Sequence, residues 1–338
     1  MNRVAPNGIV LEMTMPGQRV VYVNGRYVPE HEAGVSIFDS AMVFGDVVFE
    51  FARTFAHKPF RVGQHLERLY ASMNIVRIDC GMSIDEMERI TDELLARNLE
   101  GLDPVVDALI LHEVSRGILG VYGRVFGDER ARQPTVIVAA FPLDLHLAEI
   151  DDAYETGVHA VIPPQRSIPS RLLDAKLKTR CRQHYQIANQ QAHDVDPSAF
   201  ALLVDDDGFV TEGTGANFFM VKDGQLLTPE GRNVLRGVSR SMVFDLAGQL
   251  GIRCRQCNIE PYDAHLADEA FFTTTPFCLL GIARLNGRLL GDGRPGAVGR
   301  RLLETWGDQV GIDIAEQARY CAKMNRECGD GSKPRSGA

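Results

Sequence analysis

The chain has 338 residues, longer than one typical domain and shorter than three, so two packed α/β domains are expected. Hydrophobic residues make up 45% and charged residues 24%, which excludes a disordered chain and argues against a membrane protein. A net charge of −9 repels a phosphate backbone on average, so nucleic acid is not an expected partner.

The first seventeen residues, rich in Gly, Pro and Asn, read as a flexible arm without the apolar run of a signal peptide. Val20-Val-Tyr-Val, Asn24-Gly25 and Arg26-Tyr-Val then spell a β-hairpin. In Val47–Phe55 the alternation sends Val48, Glu50, Ala52 and Thr54 to one face and Phe49, Phe51 and Arg53 to the other. A charged residue on each face means that at least one face borders a polar site.

Two helices follow. Leu66, Leu69, Tyr70, Met73 and Val76 form the stripe of the first, with His65, Glu67 and Arg68 off it or at its margin. The second opens on the capping box Ser83-Ile-Asp-Glu86 and buries Ile84, Met87, Ile90 and Leu94. Strands at Ala108–Val114 and Thr135–Phe141 complete a small α+β domain over residues 18–142. Residues 143–152 are the expected connection, because the strand pattern stops at Pro142 and an acidic stretch follows.

In the second half, over 153–320, strands are expected at Val158–Ile162, Phe200–Val204, Asn217–Val221, Ile252–Ile259 and Ala270–Thr275. Helices are expected at Lys178–His193, Ser239–Leu250 and Ala297–Val310. Asp207-Gly208 and Asp223-Gly224 mark tight turns. After Trp306 the pattern weakens, and residues 321–338 are expected to be a flexible end.

No stretch reaches the roughly 20 apolar residues that cross a bilayer. Seven cysteines, an odd number, suit reduced thiols in the cytoplasm. Cys254 and Cys257 form a C-x-x-C, but no second ligand pair follows, so alternate residues of a strand are the expectation and no metal is assigned.

Four distant segments carry chemistry. The first is Gly45-Asp-Val-Val-Phe-Glu50-Phe-Ala-Arg53 with His65-Leu-Glu-Arg68-Leu69; an arginine fork matches a pair of phosphate oxygens. Taken alone, Arg68 would be a solvated helix charge. The second is Lys176-Leu-Lys178-Thr179-Arg180-Cys-Arg182, with small residues at Ala188 and Ala192, ten and fourteen positions after Lys178. A lysine amine held beside other positive charge can condense with an aldehyde; alone, the stretch would be a basic helix start facing solvent. The third is Asp205-Asp-Asp-Gly208-Phe-Val-Thr211-Glu212-Gly213-Thr214-Gly215-Ala216-Asn217-Phe218-Phe219. The fourth combines Leu235-Arg-Gly237-Val238-Ser239-Arg240, at a helix start where backbone N–H groups can cradle an anion, with Asp268-Glu-Ala-Phe-Phe-Thr273-Thr274-Thr275.

Together these segments resemble the class IV aminotransferases, the fold-type IV pyridoxal-phosphate enzymes, from about Val21 to about Leu303. The resemblance implies a two-domain fold of mixed α+β and α/β character, with a small N-terminal α+β domain and a larger C-terminal mixed-sheet domain. It implies pyridoxal 5'-phosphate as cofactor, Lys178 as the catalytic lysine, and Glu212 against the pyridine nitrogen. Arg68, Val238, Ser239, Thr274 and Thr275 are the implied phosphate ligands, with Thr275 the foremost hydroxyl.

The implied activity moves an amino group from an amino acid or amine to a 2-keto acid in ping-pong fashion, within a homodimer. A lyase of the aminodeoxychorismate type and a non-catalytic cofactor-binding protein remain alternatives. For substrate contact the candidates are Phe44, Arg53, Tyr122, Arg124, Arg180 and Arg182. No branch of the family fits cleanly. Phe44 stands where branched-chain enzymes tend to carry tyrosine, and Leu111 where they tend to carry arginine.

Overall fold

The computed structural model describes residues 19–126 and 133–329; the expected N-terminal arm and the last nine residues lie outside them. Two sheets organise the described chain. The first has six antiparallel strands, β1 (Val20–Val23), β2 (Arg26–Pro29), β3 (Val47–Phe55), β4 (Lys58–Phe60), β5 (Ala108–Ser115) and β6 (Thr135–Pro142), in the order β2-β1-β6-β5-β3-β4. Between its strands run α1 (Ser40–Phe44), α2 (Val62–Val76), α3 (Ile84–Asn98) and α4 (Gly120–Phe126).

The period-2 pattern of β3 decides what this sheet does. Val48 and Ala52 join Leu66, Leu69 and Met73 of α2 and Met87, Ile90 and Leu94 of α3 in one core. On the opposite face Phe55 joins the core of the second sheet. The expected capping box starts α3, with Ser83 Oγ accepting from the Glu86 N–H and the Glu86 carboxylate accepting from the Ser83 N–H.

The second sheet contains β7 (Val158–Val161), β8 (Phe200–Val204), β9 (Val210–Gly213), β10 (Asn217–Lys222), β11 (Gln225–Thr228), β12 (Cys254–Gln256), β13 (Glu269–Thr274), β14 (Cys278–Leu285) and β15 (Arg288–Leu289). Its path is β12-β11-β10-β13-β14-β7-β8-β9, and β9 pairs again with β10 through Glu212 opposite Asn217. That last pairing closes six of the strands into a ring, which removes their free edges. Short helices α5 (Asp144–Ala148) and α6 (Ala153–Thr156) lead into it. Around it pack α7 (Gln183–His193), α8 (Val238–Gln249), α9 (Pro261–His265), α10 (Ala297–Val310) and α11 (Ile314–Gly329). Among the described residues no helix is long and apolar enough to cross a membrane.

Three differences from the sequence reading matter. Helix α7 starts at Gln183, not Lys178. Residues 178–180 are extended instead, because the free upper edge of β3 captures them: the Phe49 N–H donates to the Lys178 carbonyl at 2.9 Å and the Arg180 N–H to the Val47 carbonyl at 3.1 Å. The C-terminal end is not loose up to Gly329, since α11 buries Ile314, Ala318, Cys321 and Ala322. Strand β14, eight residues long and central in the second sheet, has no counterpart among the expected strands.

Candidate active site

A cleft lies where the two sheets meet, and Arg68, Lys178, Glu212, Val238, Ser239, Thr274 and Thr275 all line it. These seven residues come from α2, the captured 178–180 segment, β9, the start of α8, and the end of β13 with the turn after it.

Lys178 is brought in by the extended segment, its Nζ 4.8 Å from the centre of the Phe49 ring. Desolvation, with the Arg68 and Arg182 charges added, pulls its amine down to about 7 against the opposing pull of Glu50 and Glu212. An amine at that value is half neutral at physiological pH, which is what nucleophilic attack on a carbonyl requires.

Glu212 sits at the pairing that closes the sheet. One of its oxygens accepts from Asn217 Nδ2 at 2.9 Å and from the Leu235 N–H at 3.0 Å, the other from Tyr185 Oη at 3.2 Å. Burial pushes its carboxyl up to about 7, against these hydrogen bonds and the Lys178 and Arg182 charges. Gly237 makes the arrangement possible: a Cβ there would lie 2.1 Å from Asn217 Oδ1. Tyr185 and Asn217 carry no signal of their own in the sequence; only the G-x-x-x-N spacing after Glu212 points toward Asn217.

Arg68 reaches the cleft because Glu50 holds it. The buried Glu50 carboxylate accepts from Nε at 2.6 Å and Nη2 at 2.7 Å, while Nη1 donates to the Arg236 carbonyl at 2.8 Å. His65 Nδ1 shares the same carboxylate at 2.8 Å. Desolvation would raise the Glu50 carboxyl, but the Arg68 charge and the His65 and Arg68 hydrogen bonds outweigh it and bring the group down to about 2. Desolvation lowers His65 in turn, against Glu50, so the imidazole stays neutral and donates from Nδ1.

Beside Arg68, α8 opens on Gly237 without a side-chain cap. Its first N–H groups, those of Val238 and Ser239 among them, have no intrahelical acceptor and sit at the positive end of the helix dipole. Thr274 Oγ1 donates to the Gly215 carbonyl at 2.6 Å, whereas Thr273 Oγ1 donates to the Cys278 carbonyl. The donor set at this end therefore combines a cation, a helix N-terminus and hydroxyls, and it suits a phosphate.

The substrate candidates divide. Arg182 lines the cleft, its guanidinium 4.8 Å from the Tyr185 ring centre and 5.4 Å from that of Phe49, and it donates to the Thr214 carbonyl. Arg180 stacks on Phe49 at 3.8 Å and pairs with Glu113 at 2.5 Å. Arg53 does not reach the cleft. It is buried, donating to Gln317 Oε1 at 2.9 Å and the Pro276 carbonyl at 2.8 Å, with Asp107 at 3.4 Å, because its face of β3 packs against the second sheet. Phe44 is exposed at the end of α1, Tyr122 packs on Phe38, and Arg124 lies along α4; none of the three lines the cleft.

The model of the amino-transferase class IV family matches residues 47–285. A putative branched-chain-amino-acid aminotransferase of Methanocaldococcus jannaschii is 32% identical over 292 residues, 85% of this chain and 95% of the relative. The crystal structure of the Escherichia coli branched-chain amino acid aminotransferase superposes with a TM-score of 0.78 at 27% identity, covering 86% of this chain and 94% of the other. The branched-chain aminotransferase of the thermophilic archaeon Thermoproteus uzoniensis, solved with norvaline, gives a TM-score of 0.75 at 26% identity, covering 90% and 97%. A further branched-chain amino acid aminotransferase of this fold has been solved with pyridoxamine 5'-phosphate, and it superposes with a TM-score of 0.76.

Proposed function

The chain belongs to the class IV aminotransferase family, and from that premise we propose that its cleft holds pyridoxal 5'-phosphate and transfers amino groups between an amino acid and a 2-oxo acid. The carrying observation is the placement of Lys178 and Glu212 in one cleft beside an anion cradle. In this reading Arg68, the Val238 and Ser239 N–H groups and Thr275 bind the phosphate, while Thr274 ties the adjoining turn to the Gly215 carbonyl.

When bound, the cofactor supplies an aldehyde for the lysine and a protonated ring that draws electrons from the substrate's α-carbon. Lys178, partly neutral near pH 7, is the nucleophile toward that aldehyde. With the cofactor bound, the Lys178 Nζ would be the base that takes the proton from the substrate's α-carbon and holds it for return. Glu212, held by Tyr185, Asn217 and the Leu235 N–H, would offer the ring nitrogen a carboxyl group fixed in place. Donor and acceptor use the same cleft in turn, so the kinetics are ping-pong.

Ile168, Leu173 and Leu177 give the cleft an apolar wall, which supports a donor with an aliphatic side chain, in keeping with the names of the relatives. Exposed Ile37, Met42, Phe44 and Val121, joined through the Asp39–Ile118 bridge, support a homodimer contact on this face. Free cysteines fit a cytoplasmic setting.

The test is Lys178→Ala against Lys176→Ala. The first variant should lose both the visible absorbance of lysine-bound cofactor and turnover, and the second should keep both. A Lys178→Ala protein that retained the band would end the assignment. Sedimentation of the wild type should give twice the monomer mass, and Phe44→Asp should lower it.

A further inference from the structure

Charge in and around the cleft is paired almost throughout. Arg68 is closed by Glu50, Arg180 by Glu113, and Lys176 by Asp174 at 2.6 Å. Both oxygens of Glu212 are taken by Tyr185, Asn217 and the Leu235 N–H. Lys178 and Arg182 are the exceptions: both line the cleft and make no ion pair among the described residues, and of the two Arg182 is the one to which the proposed chemistry gives no task.

Its setting is built rather than incidental. The guanidinium lies against two aromatic rings, those of Tyr185 and Phe49, and the Thr214 carbonyl accepts from Nη2. The backbone of Arg182 caps α7, its carbonyl accepting from the Tyr185 N–H at 2.9 Å. Aromatic stacking and one carbonyl fix the plane of the fork without consuming its charge. The acid whose charge Arg182 feels, Glu212, has both oxygens taken by other donors; a fixed, partly desolvated cation with no ion pair of its own is an anion site, and a planar fork favours a carboxylate.

We infer that Arg182 anchors the carboxylate of the amino acid and of the 2-oxo acid, so that this cleft selects carboxylate-bearing donors over simple amines. The inference rests on the proposed aminotransferase reading and names the substrate group that site recognises. Arg180, two residues earlier, offers the same chemistry in the sequence, but Glu113 neutralises it. Both arginines lie against Phe49, and of the two only Arg182 lines the cleft.

The experiment compares wild type, Arg182→Lys and Arg182→Met as holoenzymes. In one arm 4-methylvaleric acid, which bears a carboxylate and no reactive amine, is titrated by calorimetry. In the other, single-turnover rates are measured for L-valine and for isobutylamine, which differ by the carboxylate. The Met variant should bind the acid about 10–100-fold more weakly, the loss expected for a charge-assisted pair. It should lose the valine preference by a similar factor, read as the ratio of the valine rate to the isobutylamine rate within each variant so that any change in Lys178 or Glu212 cancels, and the Lys variant should recover part of the loss.

Equal losses for valine and isobutylamine would reduce Arg182 to a structural residue and overturn the inference. So would unchanged acid affinity with only the pH midpoint of the cofactor band displaced, since the guanidinium would then serve the cofactor itself. The calorimetric arm needs no turnover. A wild type that bound the acid through Arg182 but transferred no amino group would therefore contradict the aminotransferase reading and leave this one standing.

Discussion

Glu50 takes the guanidinium fork of Arg68 on both of its oxygens, at 2.6 and 2.7 Å, from a carboxylate that is fully buried. The pair lets an arginine on a helix point its remaining Nη1 toward the start of α8. Glu50→Gln keeps the shape and removes the charge, so the fork loses its anchor. Cofactor affinity should fall about 10-fold, the scale of a charge-assisted hydrogen bond, as measured by titrating apoprotein with pyridoxal phosphate.

The same group sets part of the acid limit. Its folded value of about 2 lies below the ordinary 4.5, so its contribution to stability is complete above 4.5 and is lost as pH falls toward 2. Wild type and Glu50→Gln should converge in thermal midpoint across that window and differ above it. A constant gap from pH 2 to 7 would contradict the assignment.

Glu212 works with the opposite sign. Its carboxyl is raised to about 7, so the folded apoprotein holds a proton that the unfolded chain releases near 4.5, and stability from this group declines as pH rises from 4.5 through 7. Glu212→Gln should flatten that decline in apoprotein melting curves. In the holoenzyme it should bind cofactor and lower turnover on the order of 10²–10³-fold, as losing a preorganised charge does.

For Lys178, an amine near 7 implies that capture of pyridoxal phosphate by apoprotein speeds up with pH around a midpoint near 7. Stopped-flow absorbance from pH 5.5 to 9 checks this. A rate still climbing steeply at pH 9 would mean an ordinary lysine.

Gly237→Ala would drive a Cβ to within 2.1 Å of Asn217 Oδ1. Overpacking of this kind costs about 1–3 kcal/mol. Because Asn217 must move, Glu212 loses a donor as well, so the variant should show both a lower melting temperature and weaker cofactor binding. The same substitution at Gly224, where nothing lies within 4 Å and φ is +70°, should cost backbone strain alone and leave cofactor affinity untouched.

Arg53 predicts a purely structural loss. Arg53→Met leaves Asp107 buried with only Thr54, Gln317 and the His57 N–H as donors, and breaking a buried pair costs about 3–5 kcal/mol. Chemical denaturation measures it.

How far the sequence can be read depends on the range of the interactions. Glu212 and its flanking glycines form a local turn, and the capping box of α3 spans four residues; both are legible as strings. The partners of Glu212 are not, because Tyr185 arrives from α7 and the Leu235 N–H from beyond β11. Lys178 reads as the opening of a helix, since its basic neighbours resemble an exposed helix start and the competing influence, the β3 edge, is about 130 residues away in sequence. Arg53 reads as a site residue from its motif, yet its partner Gln317 stands on a helix whose Ala and Cys contacts give a faint apolar stripe.

The captured segment also governs assembly. Lys178 owes its position to Val47 and Phe49 of the first sheet, whereas Glu212 and the α8 N-terminus belong to the second. On the proposed function, neither half alone would contain a complete receptor for the cofactor. Loading would then report that the halves have docked, and each bound cofactor would rivet them together, so that separating the sheets and releasing the cofactor are expected as a single event.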